Sequence, residues 1–463
     1  MLQTESPINE QVQVGRLLKD HFRCPDDFAD FIVSDKLSTD SGYFQFGPGV
    51  ICYGQCSSGD PASSATDSLH DALQHVSMIG SSVHLPFDPV QVVNNLRHER
   101  YVGNHASSRT ANKTSSLVRM LYYLARPLLP VAVRKHLQRR YLRDWSKISF
   151  PNWPVDRTVE NILEQLLILS MKSRNVTRIP FIWFWPEGFP SCTAVTHDVE
   201  TAAGFDFCTQ LMDLNDSFGI KSSFQIVPEE RYAVPLARLD VIRDRGFEIN
   251  IHDLNHDGNL LANRDEFLRR ACEINLYAKE FRALGFRSAV LYRNIDWYDA
   301  LDFSYDMSVP NVAHLDPQRG GCCTVFPFFN GKMLELPVTM SQDYSLYHIL
   351  NDYSIGVWKE QISLIREKHG LMQMIVHPDY NIDPAARRVY AELLSYLSDL
   401  RAQGETWIAL PGEVAAWWRL RSELRLVKAG SSWSIQGEGR ERARIAYARI
   451  VDGKLAYEFE PAA

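Results

Sequence analysis

From about Thr193 the sequence predicts an α/β fold whose strands are mostly parallel, either open or closed into a barrel. Three observations carry this. Runs of strand length follow one another as far as Pro411: TAVTHDVE, KSSFQIVP, FEINIHD, SAVLYRN, FSYDMS, KMLELPVT, LMQMIVHPD and TWIALP. Helical runs such as LARLDVIRDRG and DEFLRRACEINLYAKEFRALG stand between several of them, the alternation expected of parallel sheets. Ionisable side chains gather where those strands end: Asp198 and Glu200, then His252 and His256, then Arg293, Asp306 and His377. In closed barrels of this kind the chemistry collects at the C-terminal ends of the strands.

The chain has 463 residues, of which 45% are hydrophobic, enough for two or three domains with substantial cores. A net charge of −7 gives no reason to expect nucleic acid as a partner. The eight cysteines are scattered and form no CxxC pair, which suits reduced thiols better than a disulfide framework. The N-terminal MLQTESPINEQVQVGRLLKDHF lacks a basic start and an apolar core, and no apolar run reaches spanning length. The expected location is cytoplasmic, with peripheral membrane contact open.

Residues 1–95 begin with a helical pattern (Leu17, Leu18, Phe22), and GYFQFGPGVICYGQC then sets two strand-like runs about Gly47-Pro48-Gly49. This reads as a small α/β domain without a chemical motif. Residues 96–150 carry a dozen Lys and Arg against Glu99 and Asp144, interleaved with LYYLARPLLPVAV. Two uses fit. In one, Tyr122, Tyr123, Leu128 and Leu129 lie among lipid headgroups, with Arg119, Arg126, Arg134 and Lys135 on phosphates. In the other, amphipathic helices broken near Pro127 and Pro130 form a basic connector that packs on the next domain.

FPNWPVD, Phe150 to Asp156, reads as a Pro-broken linker opening the largest domain, residues 151–425. RTVENILEQLLILSMKS has helical apolar spacing, and Trp183 and Trp185 beyond it serve a core more readily than a sugar ring. After residue 425 the period changes. ARIAYARIVDGKLAYEFE alternates on both sides of Asp452-Gly453, a hairpin signal, so residues 426–463 are expected to form a β appendage.

His252 and His256 stand four residues apart, and a single helical turn lets both imidazoles face one way. A carboxylate from a neighbouring strand end then completes a His, His, carboxylate set that leaves one position open for water. Each member also has a plainer use: acidic residues after a strand cap helices, and lone histidines cap turns or sit satisfied in cores. His197, His314, His348 and His369 are read in that plainer way.

The ordered set of THDVE, HxxxH, Arg293 and MIVHPDY resembles the polysaccharide deacetylase family, also called NodB-like or carbohydrate esterase family 4, over about residues 178–425. The resemblance implies a distorted (β/α) barrel and a divalent metal, commonly zinc, that serves hydrolysis of N-acetyl or O-acetyl groups on a carbohydrate substrate. It places the general base on Asp198 and the two histidine ligands on His252 and His256. The family's metal-binding acid falls on Val199, with Glu200 one residue on as the substitute, and Asp253 stands where Ser or Thr is usual. Arg293 takes the place of the arginine that orients the base, without the Pro expected after it, and His377 that of the acid. Asp306 lies where a fourth motif would be, placed to tune that imidazole. With no export signal, the implied substrate is an intracellular precursor of a cell-surface polysaccharide, and lipid linkage would suit a membrane-touching basic segment. A catalytically inactive relative that binds saccharide and acts as a scaffold for a biosynthetic complex, and a deformylase or other C–N hydrolase, are the competing readings.

Overall fold

The computed structural model of the chain describes residues 7–459, apart from 26, 27, 29, 35, 103–139 and 431. The residues on which the interfacial reading of the basic segment rests, Arg119 to Lys135, lie outside the described residues. The chain divides into two compact units. One comprises Met1–His105, Arg157–Gly188 and Trp417–Ala463, and the other Ala106–Asp156 and Phe189–Ala416.

In the first unit, β1 (Phe31–Val33) is paired with the C-terminal member of an antiparallel hairpin. A second hairpin, β2 (Gly42–Gln45) and β3 (Ile51–Gly54), turns through Gly47 and Gly49, both at positive φ, where a side chain would be strained. The strands of the first hairpin are β4 (Ser77–Ile79) and β5 (Ser82–Leu85). The helix Thr158–Ser173 buries Val159, Ile162, Leu163, Leu166 and Leu167 at helical spacing, and β6 (Arg178–Ile182) follows it.

Among the described residues, the second unit is built on one nine-stranded sheet. Its strands are β7 (Cys192–Val199), β8 (Ser223–Ile226), β9 (Glu248–His252), β10 (Gly285–Arg287), β11 (Tyr305–Asp306), β12 (Phe328–Asn330), β13 (Met333–Glu335), β14 (Leu371–Ile375) and β15 (Trp407–Ile408). The order is β12-β13-β11-β10-β9-β8-β7-β14, with β15 also on β7. The pairings are parallel except β12 with β13. All eight residues of β7 are buried, as expected of a central parallel strand covered on both faces. Beyond β13 the sheet curls back on β14 without a ladder: the Thr339 and Met340 amides both donate to the Gln373 carbonyl, at 3.2 and 3.1 Å, and Thr339 Oγ1 donates to the Leu371 carbonyl at 2.7 Å. Since the strands run one way, the ends of β7, β9, β10 and β14 come out on a common side.

Two expectations are corrected here. SAVLYRN is not a strand. The ladder stops at Arg287, opposite His252, and Ala289–Leu291 is a tight turn with Val290 and Leu291 at φ 60° and 50°. A β-branched residue in that region is strained, and the turn is held by the Ala289 amide on Asp253 and the Ser288 hydroxyl on the Tyr292 carbonyl. Nor is FPNWPVD a loose linker. The Asp156 amide donates to Asn311 Oδ1 and Asn311 Nδ2 donates back to the Asp156 carbonyl, both at 2.8 Å, while Gln361 Nε2 donates to the Pro154 carbonyl at 3.0 Å.

The chain then returns to the first unit with β16 (Arg425–Ala429), β17 (Ser432–Gln436), β18 (Ile445–Val451) and β19 (Lys454–Phe459). β18 pairs antiparallel with β19 on one side and with β6 on the other. That ladder lies within the first unit, which holds Arg157–Gly188 and Trp417–Ala463. Trp183 and Trp185 are buried in this unit, 2% and 0% exposed, as core residues. All eight cysteines are free thiols. Among the described residues, no helix is long and apolar enough to cross a membrane.

Candidate functional site

Three side chains converge beyond the ends of β7 and β9. One carboxylate oxygen of Glu200 and one ring nitrogen each from His252 and His256 all lie within 4.8 Å of one another. Glu200 Oε1 is 2.9 Å from His256 Nε2 and 3.9 Å from His252 Nε2. Val199 points its side chain into the core, fully buried, and the period of the strand puts its two neighbours, Asp198 and Glu200, on the opposite side.

The imidazoles meet by a route other than the helical turn that their spacing suggests. After β9 the chain forms an irregular loop with Asp253 at φ 59° and His256 at φ 55°, and these two left-handed residues fold His256 back against His252. The ring centroids are 4.9 Å apart. The loop is pinned from behind. Arg270 grips Asp257 with two bonds of 2.8 and 2.9 Å and Asn255 with one of 3.1 Å, and Asp253 accepts from the Leu254 and Ala289 amides. Burial raises the Asp257 carboxyl, but Arg270 and the Asn259 donors outweigh it and hold the group below its ordinary range.

The donor set fits a divalent cation. His252 Nε2 and both nitrogens of His256 are buried without a hydrogen-bond partner; although His256 Nε2 is 2.9 Å from Glu200, the two are not aligned as donor and acceptor. Buried polar atoms are normally satisfied, so three unpartnered nitrogens beside one carboxylate are what a cation site would present. His252 Nδ1 lies 3.2 Å from the Arg287 carbonyl, a bond that puts its proton there and leaves the Nε2 lone pair facing Glu200. Glu200 is the most open of the three, its side chain 23% exposed against 1% and 2% for the imidazoles. Burial pulls the Glu200 carboxyl up, yet His256 and the nearby imidazoles of His252 and His377 bring it well below the usual range.

Asp198 stands beside this cluster, its Oδ2 3.7 Å from His252 Nε2. Its other oxygen accepts from Arg287 Nη1 at 2.6 Å, and the same nitrogen donates to Thr196 Oγ1 at 2.8 Å while Arg287 Nε donates to the Met307 carbonyl. Burial acts to raise the Asp198 carboxyl, and Arg287 with His252 and His377 reverses this and keeps it ionised. His377 enters from the end of β14, with Nε2 3.5 Å from Glu200 Oε1. Its Nδ1 and its backbone amide both bond Asp343, each at 2.7 Å. Burial works against the charged imidazole, but Asp343 and Glu200 outweigh it and raise the group well above its ordinary value.

Two expected roles go elsewhere. Arg293 is turned away from Asp198 and donates to the Leu291 carbonyl at 2.9 Å; Arg287 takes the place assigned to it. SAVLYRN begins at Ser288, three residues after the strand Gly285–Arg287 begins, so the arginine at its end is Arg293 and not Arg287. Asp306 does not reach His377. It accepts from the amide and hydroxyl of Ser308 and stands opposite Glu335 in the ladder, where burial raises both carboxyls and Asp306 raises Glu335 further. Asp343 holds the imidazole instead. The only sequence signal for Arg287 is a basic residue among apolar neighbours in GFRSAV; Asp343, in an irregular loop beyond β13, has none. The plainer readings of His197, His314 and His369 hold: each bonds a backbone carbonyl, Val376, Pro151 and Pro190 respectively.

No family model matches the chain and no curated protein matches it. Solved structures do. A Mycobacterium smegmatis protein described as a polysaccharide deacetylase is 18% identical, with 54% of this chain and 98% of that one covered at a TM-score of 0.42. The allantoinase Puue is 13% identical over 51% and 92% of the two chains, TM-score 0.37. A family 4 carbohydrate esterase from Streptomyces lividans, in complex with acetate, is 10% identical over 46% and 90%, TM-score 0.30. The chain is thus similar, over about half its length and at low identity, to solved structures that include family 4 polysaccharide deacetylases.

Proposed function

We propose that the second unit is a metal-dependent hydrolase that removes an acetyl group from an N-acetylated, or O-acetylated, sugar. The observation that carries this is the convergence of unpartnered nitrogens of His252 and His256 on the Glu200 carboxylate, with Asp198 beside them on one side and His377 on the other. Sugar as substrate rests on the ordered motifs that resemble the polysaccharide deacetylase family. Glu200, His252 and His256 would hold the cation, zinc being the ion such a donor set favours. When bound, a divalent cation lowers the pKa of a water and polarises a carbonyl.

Asp198 accepts the proton of the attacking water. Arg287, bonded to the far oxygen, keeps the carboxylate ionised and turned so that Oδ2 faces the cluster. His377 supplies the proton that the departing amine needs, since an amide does not expel an unprotonated nitrogen. Asp343 fixes its tautomer and leaves Nε2 toward the same space. The near-complete burial of Asp198, His252, His256 and His377 removes competing water, so their charges act at short range.

The test is acetate release by the purified chain with zinc from a panel of N-acetylated sugars, free, nucleotide-linked and lipid-linked, compared with His252→Ala. Release by the wild type that falls at least about a hundredfold in the variant is expected; equal release from both proteins would overturn the reading. Formate or ammonia release without acetate would move the chain to another class of C–N hydrolase.

A further inference from the structure

The helix Arg264–Glu280 carries two faces with different uses. Its inner face buries Phe267, Ala271, Ile274 and Ala278, and Arg270 there grips the loop that carries His256. Its outer face is a stripe of Asp265, Leu268, Cys272, Leu276 and Lys279, each exposed, with Leu268 at 40% and Leu276 at 66%. Leucine at such exposure on two successive turns of one helix is surface that covering would stabilise. Asp265 and Lys279 are in no ion pair among the described residues; the helix's own pairs run from Arg269 and Arg270 to Glu266, Glu273 and Asp257.

The stripe is symmetric about Cys272. Leu268 and Leu276 lie four residues to either side and Asp265 and Lys279 seven to either side, with Arg264 and Glu280 eight to either side. A second such helix laid antiparallel, with a two-fold axis through Cys272, sets Leu268 of each copy on Leu276 of the other and Asp265 of each on Lys279 of the other. The ends bring Arg264 to Glu280. Each contact then occurs twice, as an isologous interface requires, and the spacings of four and seven are those of an interhelical seam. The parallel arrangement offers the reverse, Asp265 on Asp265 and Lys279 on Lys279.

We propose that this face is a homodimer interface, its occupant the same helix of a second copy of the chain. A 17-residue helix is about 25 Å long, so the contact is at the small end for a stable complex. The surface is independent of the proposed hydrolysis, since none of the five stripe residues belongs to the metal-binding or proton-transfer set.

Sedimentation equilibrium of the full chain tests it, with wild type, Leu276→Glu, Asp265→Lys, Lys279→Asp and the Asp265→Lys, Lys279→Asp double variant. Dimerisation of the wild type is expected to weaken roughly tenfold or more in each single variant and to return in the double variant, where both ion pairs re-form with reversed sign. Mild oxidation with copper phenanthroline is expected to link two chains through a Cys272–Cys272 disulfide, Cys272 being exposed in the single chain, and to yield no linked dimer with Cys272→Ser. A wild type that stays monomeric at 100-micromolar order concentration, or a dimer indifferent to Leu276→Glu, would overturn the proposal. So would a double variant no better than its singles. If Leu276→Glu does not fold, the charge reversals decide.

Discussion

At the scale of single residues the account turns on which arginine serves Asp198. Arg287 is fully buried and bonds Asp198, Thr196 and the Met307 carbonyl at once, so its guanidinium has one position. Lysine in its place keeps the charge and loses the fork. Arg287→Lys is predicted to lower kcat by about a hundredfold, the scale at which small misplacements of a catalytic group act. Arg293→Lys is predicted to leave kcat within about threefold and to cost about 1–3 kcal/mol of stability through lost bonds to carbonyls. Steady-state kinetics with urea unfolding of both variants checks this; the opposite ranking would restore the sequence's choice. The sequence showed Asp198, Glu200, His252, His256 and His377 because each stands at or just past the end of an apolar run. Arg287 and Asp343 were hidden for physical reasons. A three-residue strand has too little period to be phased, and a residue in an irregular loop is brought to His377 only by tertiary contacts.

At the scale of elements, the loop after β9 is the part least legible in advance. Spacing of four between histidines suggests a helical turn, but the rings meet through two left-handed residues whose strain is borne by the bonds around them. Arg270 is the chief of these, and it comes from a helix whose relation to the loop no local pattern reveals. Arg270→Ala is predicted to weaken zinc binding by about 10- to 100-fold, the usual effect of losing an outer support of a metal site, with the fold retained. Competition with a chromophoric chelator measures it, and unchanged affinity would show that the loop holds itself. The strap at Phe150–Asp156 teaches the same lesson. Two prolines read as a break, yet the Asn311 side chain captures the Asp156 backbone in both directions.

At the scale of the whole molecule, the strand and helix alternation was legible because each run is long and apolar enough to show its period. The grouping of the chain into two units was not, since it depends on β18 finding β6 across more than 250 residues of sequence. Buried histidines give the folded chain a predictable weakness in acid. Burial, the chief cause, lowers the imidazoles of His197 and His314 to about 4, against an ordinary value of 6.5. Above about pH 6.5 neither the folded nor the unfolded chain protonates them, and stability is unaffected. Between 6.5 and about 4 only the unfolded chain takes the protons, so stability falls as pH falls and then levels. The loss at pH 5 is on the order of 2 kcal/mol per imidazole. Urea unfolding at pH 7 and pH 5 is expected to show the drop, and His314→Gln to make it shallower. Equal slopes for wild type and variant would remove His314 from the explanation.

The most direct test of the central claim is zinc stoichiometry, by equilibrium dialysis and elemental analysis of the wild type, Glu200→Ala and His256→Ala. Three donors within 4.8 Å of one another predict one zinc per wild-type chain and its loss from both variants. A wild type that holds no zinc, or variants that hold as much as the wild type, would contradict it.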